Sequence, residues 1–133
     1  MDRYTLMCSK LTQLQDEWEP KTGDWVYRKD KKEKFCLYYN EEHGAPPRKY
    51  IDPYTAVYLP SLEALIEMLE EKRWMLNWKL EYDHHNTEYP YGTTDLDKSI
   101  GWFAGIVPQE AMLKLVAHEL WKLTWDEKKE TWE

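Results

Sequence analysis

Apolar residues Tyr4, Met7, Leu11, Leu14 and Trp18 recur at intervals of 3, 4, 3 and 4. That is the stripe of an amphipathic helix and predicts one helix over residues 3–17. Pro20 and Gly23 interrupt the pattern. Asp24-Trp25-Val26-Tyr27-Arg28 and Phe35-Cys36-Leu37-Tyr38-Tyr39 read as β-prone runs on either side of a charged turn, residues 29–34. Residues 40–49 read as a loop, and Tyr54-Thr55-Ala56-Val57-Tyr58 as a third strand. Leu62, Leu65, Ile66 and Leu69 fall at i, i+3, i+4 and i+7, predicting a helix over 61–73 with Ser61 as its N-cap.

Strict alternation follows: Trp74, Leu76, Trp78, Leu80 and Tyr82 are separated by Met75, Asn77, Lys79 and Glu81, which predicts a strand. Residues 84–97 read as a long polar loop, and 99–107 as the partner strand. Pro108 suits a first helical turn, and Leu113, Val116, Ala117 and Leu120, with Trp121 alongside, mark the helix it opens. Residues 126–133 are a charged tail expected to fray.

The order is α-β-β-β-α-β-β-α. It predicts an α+β fold, an antiparallel sheet with two helices packed on one face. Residues 1–125 are expected to form a single domain, with a helix plus strand-rich part at 1–58 and a helix–strand–strand–helix unit at 59–125. Whether residues 24–58 extend the second sheet or form a small barrel beside it stays open. Trp25, Trp74, Trp78, Trp102 and Trp121 are assigned to the core.

Composition narrows the function. The 133 residues are 42% hydrophobic, 32% charged and 15% aromatic, which is globular rather than disordered. The net charge of −7 argues against a general nucleic-acid binder, whose affinity comes from displacing counterions with a basic surface. It leaves open a partner that itself binds nucleic acid. No apolar run approaches the roughly 18 residues of a membrane span. Met1-Asp2-Arg3-Tyr4-Thr5-Leu6 has no apolar leader core, and two cysteines make no disulfide framework. A cytoplasmic setting is expected.

Enzymatic chemistry is not expected. The chain lacks the nucleophile elbow, phosphate loop, dinucleotide fingerprint and zincin helix, and has only 5 glycines. Cys36 and His43 could form a thiolate pair, but Cys36 sits in an apolar run, where cysteines are inert core residues. No cofactor is expected, with zinc as the exception. Asp83-His84-His85, together with Cys8, Cys36 and His43, supplies the ligand types, although no pair has the customary spacing. His84 and His85 are the candidate ligands, against the alternative of solvated loop histidines.

Two features point to a protein partner. Glu63, Glu67 and Glu70 stack on one helix face, with Glu71 beside them. A row of carboxylates at one-turn intervals imitates a phosphate backbone and can occupy a basic nucleic-acid channel; an ordinary solvated helix face is the competing reading. Asp83, Glu88, Asp95 and Asp97 could extend that field. The surplus of tyrosines is the second feature. Tyr89 and Tyr91 flank Pro90 in a stiff segment suited to an interface anchor. The candidate partner-binding residues are therefore Glu63, Glu67, Glu70, Glu71, Tyr89, Tyr91 and Asp95.

Trp18-Glu19-Pro20-Lys21-Thr22-Gly23-Asp24-Trp25 resembles the W-x-P-x-x-G-D-W opening of small phage and prophage accessory proteins of Gram-positive bacteria. Leu59-Pro60-Ser61-Leu62-Glu63-Ala64-Leu65 and Val107-Pro108-Gln109-Glu110-Ala111 resemble the helix starts of the same group. The chain departs from it in its longer tyrosine-rich middle and in the 84–97 loop. The resemblance implies a mobile-element origin and carries over no catalytic residue. With the acidic face, it leads to the expectation of an inhibitor that binds a host nucleic-acid enzyme, such as a CRISPR-associated nuclease, and blocks its nucleic-acid-binding surface. The alternatives are a structural or regulatory protein with a phage-encoded partner, and a small zinc-binding protein.

Overall fold

The computed structural model describes residues 1–38, 55–96 and 100–133. It is an α+β protein with antiparallel sheets, and it divides into two compact units, Met1–Ser61 and Leu62–Glu133.

The first unit opens with two short helices where the spacing predicts one. Helix α1 (Arg3–Lys10) stops at Leu11, whose φ of −90° and ψ of 84° leave the helical region, and α2 (Thr12–Glu17) resumes immediately. The apolar stripe survives the break: Met7, Leu11 and Leu14 are all buried. Gln15 repairs the helix end, its carboxamide N–H donating to the Cys8 carbonyl at 3.0 Å.

Strands β1 (Trp25–Arg28), β2 (Glu33–Cys36) and β3 (Ala56–Leu59) form an antiparallel sheet in the order β2-β1-β3. Gln15 also reaches this sheet. Its Oε1 accepts from Tyr58 N–H at 2.8 Å and its Nε2 donates to Tyr58 C=O at 3.1 Å. One carboxamide thus replaces a missing neighbouring strand on the outer edge of β3, where an open backbone is a liability.

The Trp-x-Pro-x-x-Gly-Asp-Trp segment is a structural staple. The Trp18 indole N–H and the Lys21 N–H both donate to Asp24 Oδ2, at 2.9 and 3.0 Å, and the Trp18 ring stacks on Tyr58 with centroids 4.8 Å apart. Gly23 has a φ of +97°, which explains a glycine at that place in the turn.

Asp2 caps α1, its carboxylate accepting from Thr5 N–H at 2.8 Å and pairing with Lys34 of β2. Burial alone would raise its pKa, but the Lys34 ammonium and the Thr5 N–H outweigh burial and hold it at about 2, against an ordinary 3.8. A carboxylate depressed in the folded state contributes stability that is complete above its unfolded value and is lost as pH falls through its folded one. Half of the side chain is exposed, so solvent screening limits the contribution to about 1 kcal/mol. Asp2→Ala is therefore expected to cost about 1 kcal/mol at neutral pH. The gap to wild type should close as the pH falls from 3.8 towards 2. Parallel acid-unfolding curves for the two proteins would contradict this.

In the second unit, α3 (Leu62–Lys72) packs on α4 (Pro108–Trp121). The other side of α4 lies on an antiparallel sheet of β4 (Trp78–Tyr82), β5 (Tyr91–Asp95) and β6 (Ile100–Gly105), in that order. The central strand β5 occupies the segment expected to be a polar loop. Its register pairs Leu80 with Thr93 and Trp78 with Asp95, and Thr93 Oγ1 donates to Ala111 C=O of α4 at 2.7 Å. A threonine bonded to the helix stands where an aliphatic residue would have announced a strand.

The strand expected from residue 74 begins at Trp78. Residues 73–76 instead form a turn, closed by Leu76 N–H on Arg73 C=O at 2.8 Å. The tail expected to fray is also ordered. Strands β7 (Trp125–Asp126) and β8 (Thr131–Trp132) form a ribbon, with Thr124 and Glu133 exchanging backbone hydrogen bonds of 2.8 Å. Among the described residues no helix is long and apolar enough to cross a membrane.

Candidate partner-binding surface

The stripe that folds α3 also decides what the helix shows to solvent. Leu65 and Leu69 are fully buried. Glu63, Glu67, Glu70 and Glu71 are all exposed on the opposite side. At 1.5 Å rise per residue, the row from Glu63 to Glu71 spans about 12 Å. Among the described residues none of the four forms an ion pair or hydrogen bond. Only Glu63, in the first turn, is favoured by the helix macrodipole. The pairs Glu63/Glu67 and Glu67/Glu71 are like charges four apart, each unfavourable by a few tenths of a kcal/mol. Glu70 and Glu71 sit at the helix C-terminus, where the macrodipole disfavours anions.

Where α3 ends, two large apolar side chains stand in solvent. Trp74 is 77% exposed and Met75 is 74% exposed. This corrects the assignment of five tryptophans to the core. Trp25 and Trp102 are also exposed, at 49% and 40%, and Trp78 and Trp121 are only half-buried. Alternation from Trp74 to Tyr82 imitates a strand, but the turn at 73–76 removes the neighbours that would have covered Trp74. A cue was present in Lys72-Arg73 just before it, a basic helix end that leaves the next residues at a chain reversal.

The other candidates lie elsewhere. Tyr89 is half-buried, with the Lys114 ammonium 5.8 Å from its ring centroid. Tyr91 is on β5, edge-on to Tyr82 at 5.1 Å. Asp95 is fully buried on β5, opposite Trp78, so its carboxylate belongs to the interior and is not offered to a partner. Asp97 lies outside the described residues. Asp83 and Glu88 belong to the connection between β4 and β5, which is organised by side-chain caps. Asp83 Oδ1 accepts from His85 N–H at 3.0 Å, and Asn86 Oδ1 accepts from Tyr89 N–H at 2.9 Å.

His84 and His85 are exposed, with ring centroids 4.0 Å apart. Among the described residues no group of three His, Cys, Asp or Glu side chains could hold a metal ion. Cys8 is fully buried, and burial pushes its thiol far above the usual range. Cys36, expected in the core, is exposed on the edge strand β2. Its suggested partner His43 lies outside the described residues. No family model matches the chain, nor does any curated protein or solved structure.

Proposed function

We propose that the protein is a non-enzymatic, phage-type accessory protein that binds a host nucleic-acid enzyme, such as a CRISPR-associated nuclease, and inhibits it by covering its basic nucleic-acid-binding surface. The contact surface is the solvent face of α3 with the turn that follows it. One observation carries this reading. Four exposed glutamates without ion-pair partners among the described residues run directly into an exposed Trp74–Met75 pair. The carboxylates present to a basic groove the spacing and sign of a phosphate row, and steer the encounter. Trp and Met supply the desolvated anchor that charge alone does not.

The test is capture by tagged protein from a bacterial lysate expressing restriction and CRISPR nucleases, at low and high salt, followed by nuclease assays with the captured enzyme. Recovery of a nuclease that is inhibited, released by salt, and lost when Glu63, Glu67, Glu70 and Glu71 are all changed to Gln supports the proposal. Recovery of the protein alone, or capture indifferent to both salt and substitution, overturns it.

Trp74→Ala separates interface from fold. It is expected to weaken the complex by about 30-fold, the equivalent of about 2 kcal/mol. The stability of the free protein should move by no more than about 0.5 kcal/mol, as at an ordinary surface position. A large loss in melting temperature would show that the indole serves the fold instead.

A further inference from the structure

The outer face of the second sheet, away from α4, carries a groove independent of the α3 face. It is open, has a volume of about 470 Å³, and is lined by Glu81, Tyr82, Asp83, His84, Asn86 and Trp102. That lies within the roughly 300–1,000 Å³ of small-ligand clefts. Trp102 is its floor plate. A Cβ built at Gly92 would fall 2.1 Å from Cε2 and Cζ2 of the Trp102 indole, so the ring rests directly on the backbone of the central strand. Only glycine at position 92 leaves room for it. Glu81 is the cross-strand partner of Gly92, which puts a carboxylate at the edge of this plate. The indole is nevertheless 40% exposed.

The geometry points to an arginine-binding site that accepts one arginine side chain of a partner protein. The lining includes the Trp102 indole, the Glu81 and Asp83 carboxylates and the His84 imidazole, and no lysine or arginine. Asp83 uses Oδ1 for the His85 N–H, and Oδ2 makes no hydrogen bond among the described residues. Glu81 pairs with Lys79 at 2.6 Å, but both side chains are more than 40% exposed, and such surface pairs are readily exchanged. A guanidinium satisfies all these groups together. Its plane stacks on Trp102 while its forked N–H groups reach the carboxylates, which an ammonium does less well. The base of a nucleotide would also stack, but the nucleotide's phosphates would meet Glu81 and Asp83.

The experiment is a titration of the ¹⁵N-labelled protein with N-acetyl-arginine amide, following the indole N–H resonances, with that of Trp102 assigned through Trp102→Phe. A saturable shift of the Trp102 resonance is expected. The neutral isostere N-acetyl-citrulline amide should bind about tenfold more weakly, and the Glu81→Gln, Asp83→Asn protein should show about the same loss. Gly92→Ala, which displaces the plate, should abolish the response. The remaining indole resonances report whether each variant keeps its fold. No saturable shift, equal binding of the citrulline amide, or stronger binding of a sugar or a mononucleotide would overturn the assignment. Substituting the α3 glutamates leaves this titration unchanged, so it stands or falls separately from the reading of that helix.

Discussion

Trp125→Ala is expected to destabilise the Leu62–Glu133 unit by about 3–5 kcal/mol, the range for truncating a buried aromatic. Trp125 is only 7% exposed and meets the Trp132 ring edge-on at 5.1 Å. The two residues are direct cross-strand partners in the ribbon of β7 and β8. Two strands of two residues have no stability of their own, so the indole pair must hold them against the rest of the unit.

The ribbon also carries a charge that α4 needs. Lys114 is buried in the middle of that helix; its ammonium donates to Ala104 C=O and to Glu127 Oε1, the latter at 2.7 Å. If the ribbon detaches, Glu127 leaves with it and Lys114 stays behind in a poorly solvated place. Trp125→Phe keeps an aromatic edge for Trp132 and should cost about 1 kcal/mol. Urea unfolding, with amide exchange of α4 as the local readout, distinguishes the outcomes. If Trp125→Ala lost under about 1 kcal/mol, the last residues would be the appendage that their charge implies.

That ribbon shows where sequence reading reaches its limit. Residues 126–133 contain two lysines and four acids, and no periodic pattern. Their order comes from two tryptophans seven positions apart meeting across a turn, a contact that periodicity does not encode. Strand β5 was missed for a related reason. Its positions Tyr91, Thr93 and Asp95 alternate correctly but carry polar groups, and only the tertiary structure supplies the α4 carbonyl that Thr93 bonds.

The opposite holds for α3. A regular apolar stripe defines the buried side, and the 3.6-residue period then places Glu63, Glu67, Glu70 and Glu71 in solvent without any tertiary knowledge. Asp95 could not be placed that way, because strand burial depends on which strands flank it. Trp74 shows the converse error. Alternation over nine residues looks like a strand until a turn consumes the first three of them.

Arg73→Ala is expected to cost about 3 kcal/mol, the lower end for removing one partner of a buried ion pair, since the arginine itself is one-third exposed. Glu119 on α4 is the buried member: its side chain is 1% exposed, and Oε2 accepts from Arg73 at 2.9 Å. Arg73 directly follows α3 and donates its N–H to Leu69 C=O, so the pair ties the end of α3 to α4. The two single variants should differ. Truncating Arg73 leaves a carboxylate in an interior that cannot solvate it. Glu119→Gln leaves an arginine that can turn to water, and should cost only about 1 kcal/mol. Replacing both, as Arg73→Met with Glu119→Leu, removes the charge with the contact and should return to within about 1 kcal/mol of wild type. With single costs of about 3 and 1 kcal/mol, that return corresponds to a coupling of about 3 kcal/mol, measured by urea unfolding at neutral pH in a cycle whose single variants are Arg73→Met and Glu119→Leu. Additive single effects would mean that Arg73 acts through its packing at the end of α3, and that Glu119 is stabilised by other groups of α4.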